Sequence, residues 1–195
     1  YMFRITRDDG SVVYRTDLFS RAQCGTGGKN TEVDQDWDGR ADDLDATKSC
    51  SVIIDPDSVT MPRKGPAVEE MEEAEKEVAC LDEDDFWAHE FNPDRPIPTH
   101  IEEMLIYEMH IGGLGFHHEG PGTLEDAIDM LDYLTDLGVN VIELLPMNVF
   151  DGEAGWGYGP SHFSAIKYHE GGHDQVKHFV RACHRRGHPG ISDVG

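Results

Sequence analysis

The pattern of apolar residues along this chain changes near residue 100. At the start, YMFRIT (1–6) and VVYRT (12–16) each alternate apolar and polar side chains. Between them RDDGS supplies turn chemistry, so a β-hairpin is expected. A two-stranded ribbon is not stable alone, and the hairpin should belong to a sheet whose earlier strands precede Tyr1. Residues 20–50 are rich in Gly and Asp and read as loop; SVIID (51–55) reads as a short strand ended by Pro56. Residues 69–85 carry ten carboxylates and one lysine. Val68, Met71, Ala74 and Val78 keep a thin apolar stripe there, which predicts a solvated helix. FNPDRPIPTH (91–100), with three prolines, predicts an extended connector.

Beyond residue 100 the runs become longer and more apolar. MLIYEMHI (104–111) is nearly continuous, as in a parallel strand covered on both faces. Thr123 is placed to cap a helix, with Asp126 three residues on to complete a capping box. Leu124, Ala127, Ile128, Leu131 and Leu134 form its expected buried stripe, and Gly138 ends it. VNVIELLP (139–146) predicts a second buried strand, followed by a Gly-rich loop. A second helix is expected over 174–186, with Val176, Phe179, Val180 and Cys183 on its stripe and Gly187 beyond its end. GISDV (190–194) reads as a third strand. Strand, helix, strand, helix, strand with short connections is a βαβ series with a parallel sheet, so the expected fold class is α/β. Three segments follow: 1–60, 61–100 and 101–195.

Charge narrows the partners. Thirty-nine acidic residues face sixteen basic ones, a formal net charge of -23. Such a surface repels nucleic acid and anionic lipid, so neither is an expected partner. It suits a neutral polyhydroxyl ligand or a salt-rich cell interior, and six lysines in the chain fit the latter. No apolar run approaches the roughly 18 residues of a membrane span. Tyr1 opens the chain with no charged-then-apolar leader, so a trimmed start or a piece of a longer protein is expected. Cys24, Cys50, Cys80 and Cys183 are scattered without a CxxC pair, which points to free thiols in a reducing cytoplasm.

Four features bear on chemistry. Alternation puts Glu108 and His110 on one strand face, opposite Tyr107 and Met109. At the C-terminal end of a parallel strand they can point into a ligand mouth; the plainer reading, favoured by two polar residues alone, is that they satisfy each other and nearby backbone. In DGEAGWGYGPSHF (151–163), Trp156 and Tyr158 stand among glycines, where flat aromatic faces can stack on sugar rings; the alternative is that they tuck onto a rim. His169, His173, His184 and His188 lack paired Cys or carboxylate at metal-ligand spacing, so no metal site is expected of them. DQDWDGRADDLD (34–45) places Asp34, Asp36, Asp38, Gly39, Asp42 and Asp45 at positions 1, 3, 5, 6, 9 and 12 of a calcium loop. Position 12 is Asp and no amphipathic helices flank it, so a solvated acidic loop is favoured, with calcium the alternative and no other cofactor expected.

Several of these segments, taken in order, resemble a known family. IYEMHIG, GTLEDAIDMLDYLTDLGVNVIELLPM, GWGYGP, DQVKHFVRACHRRG and SDV are similar to the opening of the α-amylase superfamily (glycoside hydrolase family 13) barrel. FRIT…VVYRTDLFSRAQ resembles the end of the β-sandwich starch-binding module that precedes such barrels. Within the family, branching enzymes, malto-oligosyltrehalose trehalohydrolases and isoamylase-type debranching enzymes look most similar. The resemblance implies a (β/α)8 TIM barrel, of which this chain holds about three strands and two helices. It implies action on α-glucan polysaccharide or maltooligosaccharide by a retaining mechanism, through a covalent glycosyl-enzyme.

The resemblance also says what this chain lacks. The two reacting carboxylates and a third, stabilising aspartate belong to strands four, five and seven, so no catalytic residue is expected within residues 1–195. Tyr158 matches the family tyrosine that stacks on the sugar, with Trp156 beside it; Asp193 matches the first aspartate of the strand-three motif, which organises the site, with Glu108 and His110 as support. Pro189 and Ser192 depart from the aliphatic run of that strand. The reaction expected is 1,4-α-glucan (glycogen) branching by transglycosylation, in a cytoplasmic enzyme. The alternatives are an α-glucan hydrolase of the trehalohydrolase or debranching type, or a non-catalytic glucan-binding protein.

Overall fold

The computed structural model describes residues 1–24, 49–59, 83–117, 120–150, 156–167 and 171–193. They fall into two compact units: Tyr1–Ile54 with Pro146–Tyr168 and Gly195, and Asp55–Leu145 with His169–Val194. The Asp-rich run 34–45 and most of the acidic stretch 69–85 lie outside the described residues.

In the first unit the predicted hairpin is present. Strands β1 (Phe3–Thr6) and β2 (Val12–Arg15) pair antiparallel, Phe3 opposite Arg15 and Thr6 opposite Val12. Asp9 holds the turn by accepting from the Ser11 amide at 2.9 Å and hydroxyl at 2.7 Å. Those bonds hold its carboxyl below the usual range, because they favour the charged acceptor. Strands β3 (Gln23–Cys24) and β4 (Cys50–Ser51) form a second antiparallel ladder. The strand expected over 51–55 is therefore shorter and begins one residue earlier. Its partner offers only two residues of backbone, the Val52 amide is spent on Ala22 O at 2.9 Å, and Ile53 is 87% exposed.

A third ladder was not foreseen. β7 (Asn148–Phe150) pairs antiparallel with β8 (Pro160–Ile166) across the segment taken from sequence as loop. Irregularities on both sides of Val149 explain the miss, since a bulged pair breaks the two-residue period. Along β8 the buried positions are His162 and Ala165, three apart.

The second unit contains the parallel sheet. β5 (Ile106–Met109), β6 (Val141–Leu144) and β9 (Gly190–Ser192) lie side by side in that order, all parallel. Asn140 ties the strand starts together: its Oδ1 accepts from the Leu105 amide at 2.7 Å and its Nδ2 donates to Glu103 O at 2.8 Å. α1 (Glu83–Ala88) buries only Phe86. α2 (Leu124–Leu137) has the predicted capping box. The Thr123 amide and hydroxyl both reach Asp126 Oδ2, at 2.7 and 3.0 Å, and Gly138 closes the helix at φ 94°. Leu124, Ala127, Leu131 and Leu134 are buried as expected, while Ile128 is half-buried.

Two expectations need correction here. The apolar run of β5 predicts cover on both faces, yet Ile106, Tyr107 and Glu108 are exposed and only Met109 is buried. Among the described residues β5 pairs with β6 alone, so it is an edge; the central β6 buries Val141, Ile142 and Leu144. The buried face of α3 (Gly172–Arg185) is also wider than its apolar stripe. Phe179 and Cys183 are buried, Val176 and Val180 only partly, and Gln175, His178 and Arg181 are buried as well. The cause is a second partner: residues 56–59 and 86 pack their carbonyls on this face. His178 Nε2 bonds Val59 O at 2.6 Å, Arg181 Nε donates to Phe86 O at 2.7 Å, and Lys177 Nζ donates to Pro56 O and Ser58 O. Burial pushes the Cys183 thiol up to about 12, so it is packing and not a reactive group.

Candidate functional site

In the second unit the C-terminal ends of three parallel strands present His110, Leu145 and Asp193 side by side. The register is tied beyond the strands themselves: the Leu145 amide donates to Met109 O at 3.0 Å, and the Asp193 amide donates to Leu144 O at 2.9 Å. His110 and Asp193 are each half-buried. They are separated by one intervening strand, hence by two strand spacings of about 9–10 Å at the backbone.

Glu108 is exposed one layer below, and here the structure adds a residue that sequence reasoning missed. Glu143 on β6 sits directly opposite Glu108, and Ile191 on β9 continues the row. Residues paired across adjacent strands project to the same face. Glu108 and Glu143 therefore form a two-carboxylate row on the face opposite buried Met109, Ile142 and Leu144. The signal was present in VIEL, where one Glu interrupts a buried run. Gly113, in the turn after β5, gives its amide to His110 O at 3.1 Å, and a Cβ there would stand 3.3 Å from His110 Nδ1. The turn thus passes close to the imidazole, at a position where a side chain would crowd it.

In the first unit, Trp156 and Tyr158 flank Gly157 in the loop entering β8. They are 69% and 52% exposed, so neither tucks its face into the unit. Gly157 (φ 91°) runs its backbone tightly over Pro146: a Cβ would overlap the Pro146 carbonyl oxygen and stand 2.9 Å from its Cβ. Only glycine fits there twice over, by torsion and by space. Two large aromatic surfaces are thus displayed from a backbone pinned at one point.

Three of the histidines weighed as metal ligands have protein partners instead. His173 Nδ1 lies 2.8 Å from Asp174, His184 bonds Glu90 and stacks on Phe91 at 4.8 Å, and His188 Nε2 lies 2.7 Å from Thr135 Oγ1. His169 is outside the described residues. Buried His162, unforeseen, bonds Thr16 and Ser161 at 3.0 Å each, and burial lowers its pKa. Among the described residues no cluster of three or more His, Cys, Asp or Glu could hold a metal ion, and no helix is long and apolar enough to cross a membrane. A cavity of about 630 Å³ opens at the opposite, N-terminal ends of the strands, lined by Arg95, Pro96, Asn140, Arg186 and His188.

Comparison with known proteins is consistent with this geometry. The model of the alpha amylase catalytic domain matches residues 69–194, and the chain belongs to that family. Its parallel βαβαβ segment is accordingly a fragment of a TIM-barrel-type fold. A malto-oligosyltrehalose trehalohydrolase of Arthrobacter ramosus is 34% identical over 165 residues, covering 83% of this chain and 26% of that protein. Isoamylase 1, chloroplastic, of Oryza sativa subsp. japonica is 36% identical over 124 residues, 52% of this chain and 15% of that protein. A crystal structure from Salmonella typhimurium, described as an alpha amylase, superposes with a TM-score of 0.58 at 26% identity, over 99% of this chain and 24% of that one. The chain thus spans about a quarter or less of the length of these relatives.

Proposed function

We propose that this chain is part of an α-glucan hydrolase, of the trehalohydrolase or isoamylase type, acting on maltooligosaccharides or their derivatives with retention. The carrying observation is the 34% identity to a malto-oligosyltrehalose trehalohydrolase, which extends over 83% of the chain. The relatives are named for hydrolysis, and they favour it over the branching reaction first expected from the sequence. In this reading residues 1–60 are the end of a β-sandwich glucan-binding module, residues 61–100 a linker, and residues 101–195 the start of the catalytic barrel.

The following roles are part of that reading. Trp156 and Tyr158 offer exposed aromatic faces to a sugar ring. His110 and Asp193, at the strand ends, hold hydroxyls of the bound glucan, and Glu108 supports them from below. The reacting carboxylates come from later strands of the barrel.

The test uses the intact gene product, incubated in turn with maltooligosyltrehalose, a branched glucan and amylose. Hydrolysis creates one reducing end for every α-1,4 or α-1,6 bond cut, and free trehalose from the first substrate marks the trehalohydrolase type. Transfer to a 6-hydroxyl leaves the count of reducing ends unchanged while the chain-length distribution shifts; that result would return the reading to branching. Trp156→Ala and Tyr158→Ala should each weaken glucan binding about five- to tenfold, since a stacked aromatic face is worth on the order of 1 kcal/mol. Unchanged KM in both would remove the loop from the site.

A further inference from the structure

Two of the scattered cysteines are brought together by the fold. Cys24 on β3 and Cys50 on β4 are directly opposite partners in an antiparallel ladder. Both are free thiols, Cys50 buried and Cys24 half-buried. Directly paired residues project to the same face of a ladder, with Cα atoms about 4.5–5.5 Å apart whichever hydrogen-bonding class the pair belongs to. Disulfides span Cα separations of about 4.4–6.8 Å. The separation of a directly paired couple therefore lies within the range that a disulfide spans. Burial, and then the neighbouring Cys24, push the Cys50 thiol up.

The ladder is anchored independently of these thiols. Ser51, next to Cys50, is fully buried, and its Oγ accepts from the Asp17 amide and from Gln23 Nε2 at 2.8 Å each. The Val52 amide donates to Ala22 O, and the Ser51 amide donates to Tyr1 O at 3.0 Å. The register that sets Cys24 against Cys50 is therefore held from both flanks.

We propose that Cys24 and Cys50 are a thiol pair that closes to a cross-strand disulfide when it meets an external disulfide. The more exposed Cys24 reacts first: its thiolate attacks a low-molecular-weight disulfide RSSR, forming a mixed disulfide and releasing RS⁻. The Cys50 thiolate then attacks Cys24 Sγ, the protein disulfide forms, and the second RS⁻ leaves. Two protein thiols are oxidised, one RSSR is reduced to two RSH, and the two thiol protons are taken up by the released thiolates. The bond joins both ends of segment 25–49, which contains the run Asp34 to Asp45. Cys183, buried within the second unit, takes no part.

The experiment equilibrates the intact gene product with defined ratios of reduced and oxidised glutathione, blocks remaining thiols by alkylation at low pH, and maps the peptides by mass spectrometry. The expected result is a Cys24–Cys50 cross-linked peptide. Its effective concentration in the native protein should be at least about 100-fold above that in urea, where a flexible closing loop gives values in the mM range. Reduction should restore two alkylatable thiols. The proposal is overturned if both residues remain alkylated across the glutathione series. It is equally overturned by a glutathione adduct on Cys24 that persists unresolved, or by native and urea values that agree. The wild-type measurement needs no variant; Cys50→Ser should convert the product to a stable glutathione adduct on Cys24.

Discussion

Gly157 and Gly159 form a matched pair that separates two costs usually confounded. Their φ angles are 91° and 94°, so a side chain at either meets nearly the same torsional penalty. For an L-residue in the left-handed region that penalty is about 1–2 kcal/mol. Replacing Gly by Ala also lowers unfolded-chain entropy, which favours folding by about 0.4–1 kcal/mol. At Gly159 nothing lies within 4 Å of a new Cβ, so these two effects alone act, leaving a net loss of about 0–1.6 kcal/mol. At Gly157 the Cβ overlaps the backbone carbonyl of Pro146, which cannot swing aside as a side-chain tip could. Overpacking of this kind adds about 1–3 kcal/mol. Gly157→Ala should therefore be about 1–3 kcal/mol less stable than Gly159→Ala, measured as the difference in urea-unfolding free energy of the intact protein at constant m-value. Equal destabilisation would mean that the Trp156–Tyr158 loop does not lie against Pro146, and the account of how those aromatics are displayed would fall.

Three further outcomes are expected. Thr123→Ala removes the capping box of α2 and should cost about 0.5–2 kcal/mol in the same assay; no loss would show the cap to be dispensable. Phe179→Ala empties a fully buried site on α3 and should cost about 3–5 kcal/mol, with near-UV circular dichroism reporting the change in packing. Burial holds the His188 imidazole below the ordinary histidine value of 6.5, so the unfolded chain binds that proton more readily than the native one. The stability it contributes is present above pH 6.5 and is lost as pH falls from there through its native pKa. His188→Gln should flatten that part of the pH–stability curve, and an unchanged slope would exclude it.

How much of this was legible beforehand depends on which interactions write themselves locally. The capping box at Thr123, the glycine end at Gly138 and the stripe of α2 lie within one helix, and their spacing announced them. The hairpin of residues 3–15 was equally local. What the sequence hid was set by distant partners. α3 buries His178 and Arg181 because carbonyls of Val59 and Phe86, about a hundred residues upstream, meet that face. The β7–β8 ladder escaped notice because its bulged register dissolves the alternation by which strands are recognised. The pairing of Cys24 with Cys50 depends on two strands of two residues each, too short to leave a periodic trace.

The same division governs the functional reading. The features that carry the family resemblance here are mostly scaffold: a capped helix, a glycine stop, an apolar strand and a parallel register. The chain is similar in sequence to proteins named trehalohydrolase and isoamylase alike, so the resemblance selects a family and leaves the reaction open. On the reading proposed above, discrimination among glucans has to come from groups that touch the sugar, and the candidates are exposed Trp156 and Tyr158 beside Gly157 and half-buried His110 and Asp193 at two strand ends. Strand ends are positioned by a ladder that a substitution in the loop does not disturb. On that reading a change at Trp156 or Tyr158 should alter which glucan is held without altering the fold. A change at Val141 or Ile142, in the buried centre of the sheet, should shift the strand ends that carry His110 and Asp193 together and, on the same reading, affect all substrates alike. That contrast, preference against uniform loss, is the signature that would distinguish a substrate-contacting loop from a supporting sheet.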